Sequence, residues 1–102
     1  MDPERISDFN ISDVVKATAG RDQGKLFYVI GEDEQFLLLA NGKDRPLDRP
    51  KRKKRKHVQK VLRSETRVAD KLRLGDKVLN SELRRDLAYF SQNMQSNNLG
   101  GF

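Results

Sequence analysis

Two apolar runs separated by a glycine-bracketed loop occupy residues 13–31, DVVKATAGRDQGKLFYVIG, and they leave the chain few folds to choose from. Residues 13–18 combine paired valines with a β-branched threonine, a composition that suits a strand. Residues 19–24, AGRDQG, form the loop, because Gly20 and Gly24 can take positive φ or admit a neighbouring backbone without steric cost. Residues 25–30, KLFYVI, carry the strongest strand signal in the chain. Their apolar character is nearly continuous instead of alternating, so both faces of that strand are expected to be covered.

The rest of the chain is read around this pair. A polar turn at 31–34 leads into a third strand at 35–40, QFLLLA, and Asn41-Gly42 marks a tight turn. Residues 43–48 are expected to pair back as a short strand that Pro46 confines to a sheet edge. Residues 57–62, HVQKVL, recover alternation, with Val58, Lys60 and Leu62 on one side, and supply a fifth strand that closes a small barrel. After Ser64 the period changes. Ser64 or Thr66 caps a helix to Leu74, with Val68 and Leu72 on one face and Gly75 as its stop. Asn80 or Ser81 caps a second helix whose Leu83, Leu87, Phe90 and Met94 make one stripe. The expected fold is mostly β with C-terminal α: a five-stranded barrel over 13–63, which contains the basic run 49–60, followed by two short helices over 64–94. The helices are expected to lie as a lid on the outer face of the strand at 25–30. Residues 1–12 read as a loose start from which Phe9 and Ile11 pack on the domain, and residues 95–102, polar and glycine-rich, as a frayed tail.

Charge is concentrated in one place. The 102-residue chain carries +6 overall, yet residues 43–60 hold ten Lys or Arg against two Asp, a local balance of +8 that leaves −2 for everything else. Such a block raises the local potential and binds polyanions by releasing their condensed counterions. The length fits a single domain. With no cysteine there are no disulfides and no thiolate metal sites, a composition that suits an intracellular protein. No window is apolar enough for a membrane span, and the opening MDPERISDFN has neither the basic start nor the apolar core of a secretory leader. The sequence offers no nucleophile–base pair, no phosphate-binding GxxxxGK[ST] loop and no metal-ligand spacing, so no enzymatic activity and no cofactor are expected.

The pattern Val15, Gly20, Gly24 and Lys25, followed by Phe27, Val29 and Ile30, resembles the KOW motif of large-subunit ribosomal proteins and transcription elongation factors. The stretches AGRDQGKLFYVIG, LLLANGKDRPLDRP, KRKKRKH and LNSELRRDLAYF together are similar to small bacterial KOW-domain RNA-binding proteins and to archaeal and eukaryotic large-subunit ribosomal KOW proteins. The resemblance spans roughly Ile11 to Phe90. It implies an SH3-like barrel that binds RNA through the loop between its first two strands, association with RNA or the ribosome, and no catalysis. In one respect the chain departs from the pattern. Many KOW motifs place a glycine two residues after the Gly-Lys pair, where this chain has Phe27.

The candidate RNA-binding residues fall in two groups. In and beside the loop, Lys16, Arg21 and Lys25 are placed to meet phosphates and Gln23 to reach a base edge or a 2′-hydroxyl, while Asp22 is read as capping the loop's own amides. In the basic run, Arg49, Lys51, Arg52, Lys53, Lys54, Arg55, Lys56 and Lys60 supply affinity for the backbone, and His57, the sole histidine, stacks on a base or sits as an ordinary edge residue. A solvated face seldom contains six consecutive cations, because their mutual repulsion gains nothing without a partner. Tyr28 and Phe36 are expected in the core, and Tyr89 and Phe90 in docking the helix. The expectation is a monomeric, cytoplasmic, non-catalytic protein that binds structured RNA, ribosomal RNA of the large subunit foremost, with no membrane and no small-molecule partner. Two other classes stay open. Charge alone does not separate RNA from DNA, and PKRKKRK is also similar to a nuclear import signal, so a eukaryotic chain could use the run in the nucleus. SH3-like barrels also serve as protein-interaction modules, and the discriminating feature is whether the Leu83–Leu87–Phe90–Met94 stripe is buried within the monomer.

Overall fold

The structure, a computed structural model, describes the backbone of residues 9–100 and the side chains of residues 9–93. Five strands come first: β1 (Asp13–Ala17), β2 (Leu26–Asp33), β3 (Phe36–Ala40), β4 (Lys51–Lys54) and β5 (Val58–Arg63), with a 3₁₀ turn at Arg55–His57 between the last two. Two helices follow, α1 (Arg67–Leu74) and α2 (Asn80–Gly100). The strands form one antiparallel sheet in the order β4-β3-β2-β1-β5. The sheet is open, with β4 and β5 as its two edges. The expected barrel is therefore met as five antiparallel strands, without a ladder that closes them.

The sequence reading and the structure part company at the fourth strand. Residues 43–48 are not a strand. Asn41 accepts from the Lys43 and Arg45 amides through Oδ1, and the Asn41 and Gly42 amides donate to the Arg45 carbonyl, which folds the segment into a compact turn. Asn80 then takes the Leu47 amide with its side chain at 2.8 Å. β4 is instead the basic run itself, laid along β3 with Phe36 opposite Lys54 and Leu39 opposite Lys51. An edge strand needs a backbone ladder on one side only, and lysines there keep other strands from pairing with it.

Two bulges adjust the sheet. Ile30 is the extra residue between Val29↔Leu39 and Gly31↔Leu38, and Val61 is the extra one between Val14↔Leu62 and Val15↔Lys60. The first lets β2 run on through Gly31 to Asp33, so the hairpin turn is Glu34-Gln35 and not residues 31–34. Gly31 lies under Leu38, whose Cδ1 would stand 3.0 Å from a Cβ at that position. The second breaks the simple alternation of β5. Val58 faces one core while Val61 and Leu62 both border the other.

The sheet is covered on both faces, as the continuous apolar run of β2 implies. Val15, Ala17, Phe27, Val29, Leu37, Leu39 and Val58 form one core, with Phe9 packed against it. Val14, Tyr28 and Ala40 point the other way and meet Val68, Leu83 and Leu87 of the helices. Burial of such side chains contributes roughly 1.5–3 kcal/mol each, and Phe27, Tyr28, Leu37 and Leu39 are fully buried. Phe27 fills the core at the position where the KOW pattern has glycine.

A buried polar knot pins the helices. The Tyr28 hydroxyl bonds Asp86 Oδ2 at 2.7 Å and Ser64 Oγ at 2.9 Å, and Thr66 Oγ1 donates to the same Asp86 oxygen at 2.7 Å. Thr66 also caps α1 by accepting from the Ala69 amide, and Gly75, left-handed at φ +77, closes it. α2 starts differently from the expected Asn80 or Ser81 cap. Glu82 reaches back to the Leu79 amide at 2.9 Å, which leaves the Asn80 side chain to hold Leu47. That amide, followed by Lys71 at 2.9 Å, holds the Glu82 carboxyl below its ordinary value. α2 also runs on to Gly100, past the expected end near Met94 and through the segment read as a frayed tail. No proline interrupts it, and asparagine and serine each cost only about 0.7 kcal/mol or less in a helix relative to alanine. Leu83 and Leu87 are buried against the sheet and Phe90 is half-buried there. The Met94 side chain and residues 1–8 lie outside the described residues, as do residues 101–102. Among the described residues, no helix is long and apolar enough to cross a membrane.

Candidate nucleic-acid interface

The loop between β1 and β2 is built from its own backbone. The Gly24 amide donates to Ala17 at 2.8 Å, Lys25 to Asp22 at 2.9 Å and Gln23 to Gly20 at 3.2 Å, with Gly20 and Gly24 at φ +84 and +90. Asp22 does not cap these amides. Its buried carboxylate reaches outward to Arg45 and Lys25, each at 3.4 Å. Lys25 is held more closely by Asp44 at 2.6 Å, a bond that raises the Lys25 ammonium above the ordinary lysine value. The same bond, with a second from Asn41, holds the Asp44 carboxyl down to about 2. Arg21 and Gln23 project from the loop, exposed and with no side-chain hydrogen bond to any described residue.

β4 lies beside this loop. Side chains opposite one another across an antiparallel ladder share a face, so Lys51 and Lys53 lie on the face of Leu39 and Leu37 while Arg52 and Lys54 lie on the other. Lys53 Nζ donates to the Ala19 carbonyl at 2.8 Å, and the Thr18 amide donates to the His57 carbonyl at 2.9 Å. The two candidate elements, 34 residues apart in sequence at Ala19 and Lys53, are thereby tied into one surface. Gly20 is required at this contact: a Cβ there would stand 3.2 Å from Lys53 Nζ on a backbone already at positive φ.

The cations divide into engaged and unengaged sets. Arg52 pairs with Asp33 at 3.0 Å and lies 3.8 Å over the Phe36 ring, so Phe36 is a half-buried platform under a guanidinium and not the core residue the sequence suggested. Arg55 pairs with Glu32 at 2.6 Å and donates to the Glu34 carbonyl at 2.7 Å. Lys60 pairs with buried Asp13 at 3.2 Å. Arg49, Lys51, Lys54 and Lys56 make no ion pair with any described residue, nor does half-buried Lys16, which stands between Leu26 and Gln59 on β1. His57 is half-buried at the end of the 3₁₀ turn. The acidic hairpin tip opposite β4 and the pairing of Asp22 with Arg45 and of Asp44 with Lys25 around the loop are not foreseen in the sequence reading. The only signal was the run GEDE, whose distance from the basic block in sequence hides the pairing.

Exposed pairs of this kind are worth about 0.2–1 kcal/mol each, so a phosphate can replace the carboxylates without unfolding the edge. Among the described residues no three His, Asp or Glu side chains gather as a metal site. Neither a protein-family model nor a curated protein matches the chain.

Proposed function

We propose that the protein binds structured RNA without catalysis, docking on ribosomal RNA of the large subunit through β4, the 3₁₀ turn and the β1–β2 loop. The observation that carries this reading is that the six consecutive cations from Lys51 to Lys56 form an edge strand and turn in which no residue is buried. Charged side chains protect a sheet edge, but six cations in a row also retain a mutual repulsion that a polyanion relieves. The resemblance of the loop and strands to the KOW motif supports RNA over DNA, and the five antiparallel strands are compatible with the SH3-like barrel that resemblance implies. Lys51, Lys54, Lys56 and Arg49 grip phosphates at once, and Arg52 and Arg55 join when RNA displaces the hairpin carboxylates. Arg21, Gln23 and Lys25 position the domain on a junction or groove. Lys53 and Lys60 hold the loop and β1. The protein acts as a cytoplasmic monomer.

A protein-interaction module is the rival, and the helix stripe weighs against it, because Leu83 and Leu87 spend their apolar surface on the monomer's own sheet. The experiment is sedimentation of cell lysate through a sucrose gradient at low and high salt. Co-migration with large subunits that high salt strips, and that the triple substitution K51S/K54S/K56S abolishes at low salt, is the expected result. A protein that stays at the top of the gradient at low salt contradicts the ribosomal assignment.

A further inference from the structure

The end of the β1–β2 loop, the Asn41–Asp44 turn and the first half of α2 border an open groove of about 590 Å³. Its apolar lining is exposed Ala88 and half-buried Leu26, with Leu87 buried behind them, and it also carries Lys25, Lys43 and Arg84. A groove of this volume, with an apolar lining and a few polar groups, has the ordinary proportions of a small-ligand site.

The charges of the rim are not all spent. Asp44 is the one lining carboxylate, and both its oxygens are taken, Oδ1 by Asn41 and Oδ2 by Lys25. Lys25 and Asp44 thus neutralise each other. Lys43 is exposed and makes no ion pair with a described residue. Arg84 spends one donor on the Gly42 carbonyl at 2.6 Å, and a guanidinium has five. Ser91, also in the lining, has a hydroxyl without a hydrogen bond to any described residue. What is left is a balance of +2 with free donors around an apolar lining. The turn that carries Lys43 is rigidly placed, because a Cβ on Gly42 would stand 2.2 Å from the Asn80 carbonyl oxygen and φ there is +77.

We infer that this groove takes one unpaired nucleotide of the bound RNA, with its base on Leu26 and Ala88 and its two flanking phosphates on Lys43 and Arg84. The inference rests on the RNA reading above and extends it to a second contact. One base between two phosphodiesters matches the +2 rim in charge. The loop that ties Lys53 to Ala19 at one end carries Lys25 into the groove at the other, so a strand gripped at β4 can continue past exposed Arg21 into it. RNA is read by proteins chiefly through such splayed, unpaired bases.

The test is ¹H–¹⁵N NMR of the full chain titrated with a single-stranded RNA hexamer, uridine 5′-monophosphate or an acidic peptide, on wild type, A88W and K43E. Ala88 and Lys43 are both exposed, so neither change disturbs a core. With the hexamer, the amides of Gly24, Lys43 and Ala88 should shift along with those of Lys54 and Lys56. A88W should erase the groove shifts, keep the β4 shifts and weaken binding at least fivefold; K43E should weaken it about tenfold. Shifts at β4 with none in the groove, or groove shifts unchanged in A88W, overturn the inference and leave the RNA reading standing. Groove shifts produced by the monophosphate or the peptide but not by the hexamer also overturn it, in favour of a free nucleotide or a protein partner. If the hexamer moves neither region, the RNA reading itself fails.

Discussion

β2 and β4 flank the same strand, β3, and are opposites in every other respect. β2 holds Phe27, Tyr28 and Val29 fully buried with a core on each face, whereas β4 is four cations with none buried. One neighbour of β3 is fixed by packing. The other is held by its backbone ladder and by two side chains, Lys53 on the Ala19 carbonyl and Arg52 on Asp33 and the Phe36 ring, which leaves Lys51 and Lys54 without an ion pair to any described residue.

That contrast can be broken most forcefully at β2. Phe27→Ala should cost about 3–5 kcal/mol, read as a lower urea midpoint, while any RNA affinity of the folded fraction is retained. At β4 the effect should invert. Each phosphate contact to single-stranded RNA contributes about 0.7 to the salt slope, so removing three should weaken binding roughly a hundredfold at about 0.1 M salt. The urea midpoint should hardly move, since Lys54 and Lys56 are exposed and half-buried Lys51 makes no ion pair with a described residue, and surface substitutions of this kind stay within about 0.5 kcal/mol. A large loss of stability in K51S/K54S/K56S would mean that the edge is structural.

On the packed side, Tyr28→Phe leaves the aromatic ring and removes only the hydroxyl's bonds to Asp86 and Ser64. Its cost should be about 1–3 kcal/mol. Burial pushes the Tyr28 hydroxyl up to about 12 from an ordinary 10.0. The folded state therefore keeps a proton that the unfolded chain releases, so this contribution is complete below pH 10 and is lost as pH rises through 12. Urea titrations from pH 9 to 12 should show the loss in wild type and not in Tyr28→Phe. The smallest effect belongs to the hairpin tip. E32Q/D33N frees Arg55 and Arg52 from their carboxylates and should tighten RNA binding a few-fold with a steeper salt slope; weaker binding would show that the pairs pre-position the arginines.

Much of the packed side was legible in the sequence. KLFYVI has no polar gap, which a strand covered on both faces requires, and the 3.6-residue spacing of Leu83, Leu87 and Phe90 places them against the sheet. Thr66 and Gly75 mark α1 because capping is local chemistry. The edge was not legible in the same way. KRKK has no apolar period, so nothing local distinguishes a strand from a solvated tail, and its pairing is dictated by the open edge of β3. The Asn41-Gly42 turn suggested a strand one segment too early, because the Asn41 side chain's capture of two amides cannot be read from residue type. The engagement of Arg52, Lys53 and Arg55 by the hairpin tip and by Ala19 is likewise long-range, which is why the cations of the basic run read alike in the sequence when the structure divides them into paired and unpaired ones.

Phosphate binding by β4 is read out by a salt titration of RNA binding. With about five phosphates neutralised, log K should fall against log salt with a slope of roughly −3.5 to −4.5 in the wild type, and K51S/K54S/K56S should reduce its magnitude by about 2 to 3. A flat response, or the same slope in both proteins, would contradict it.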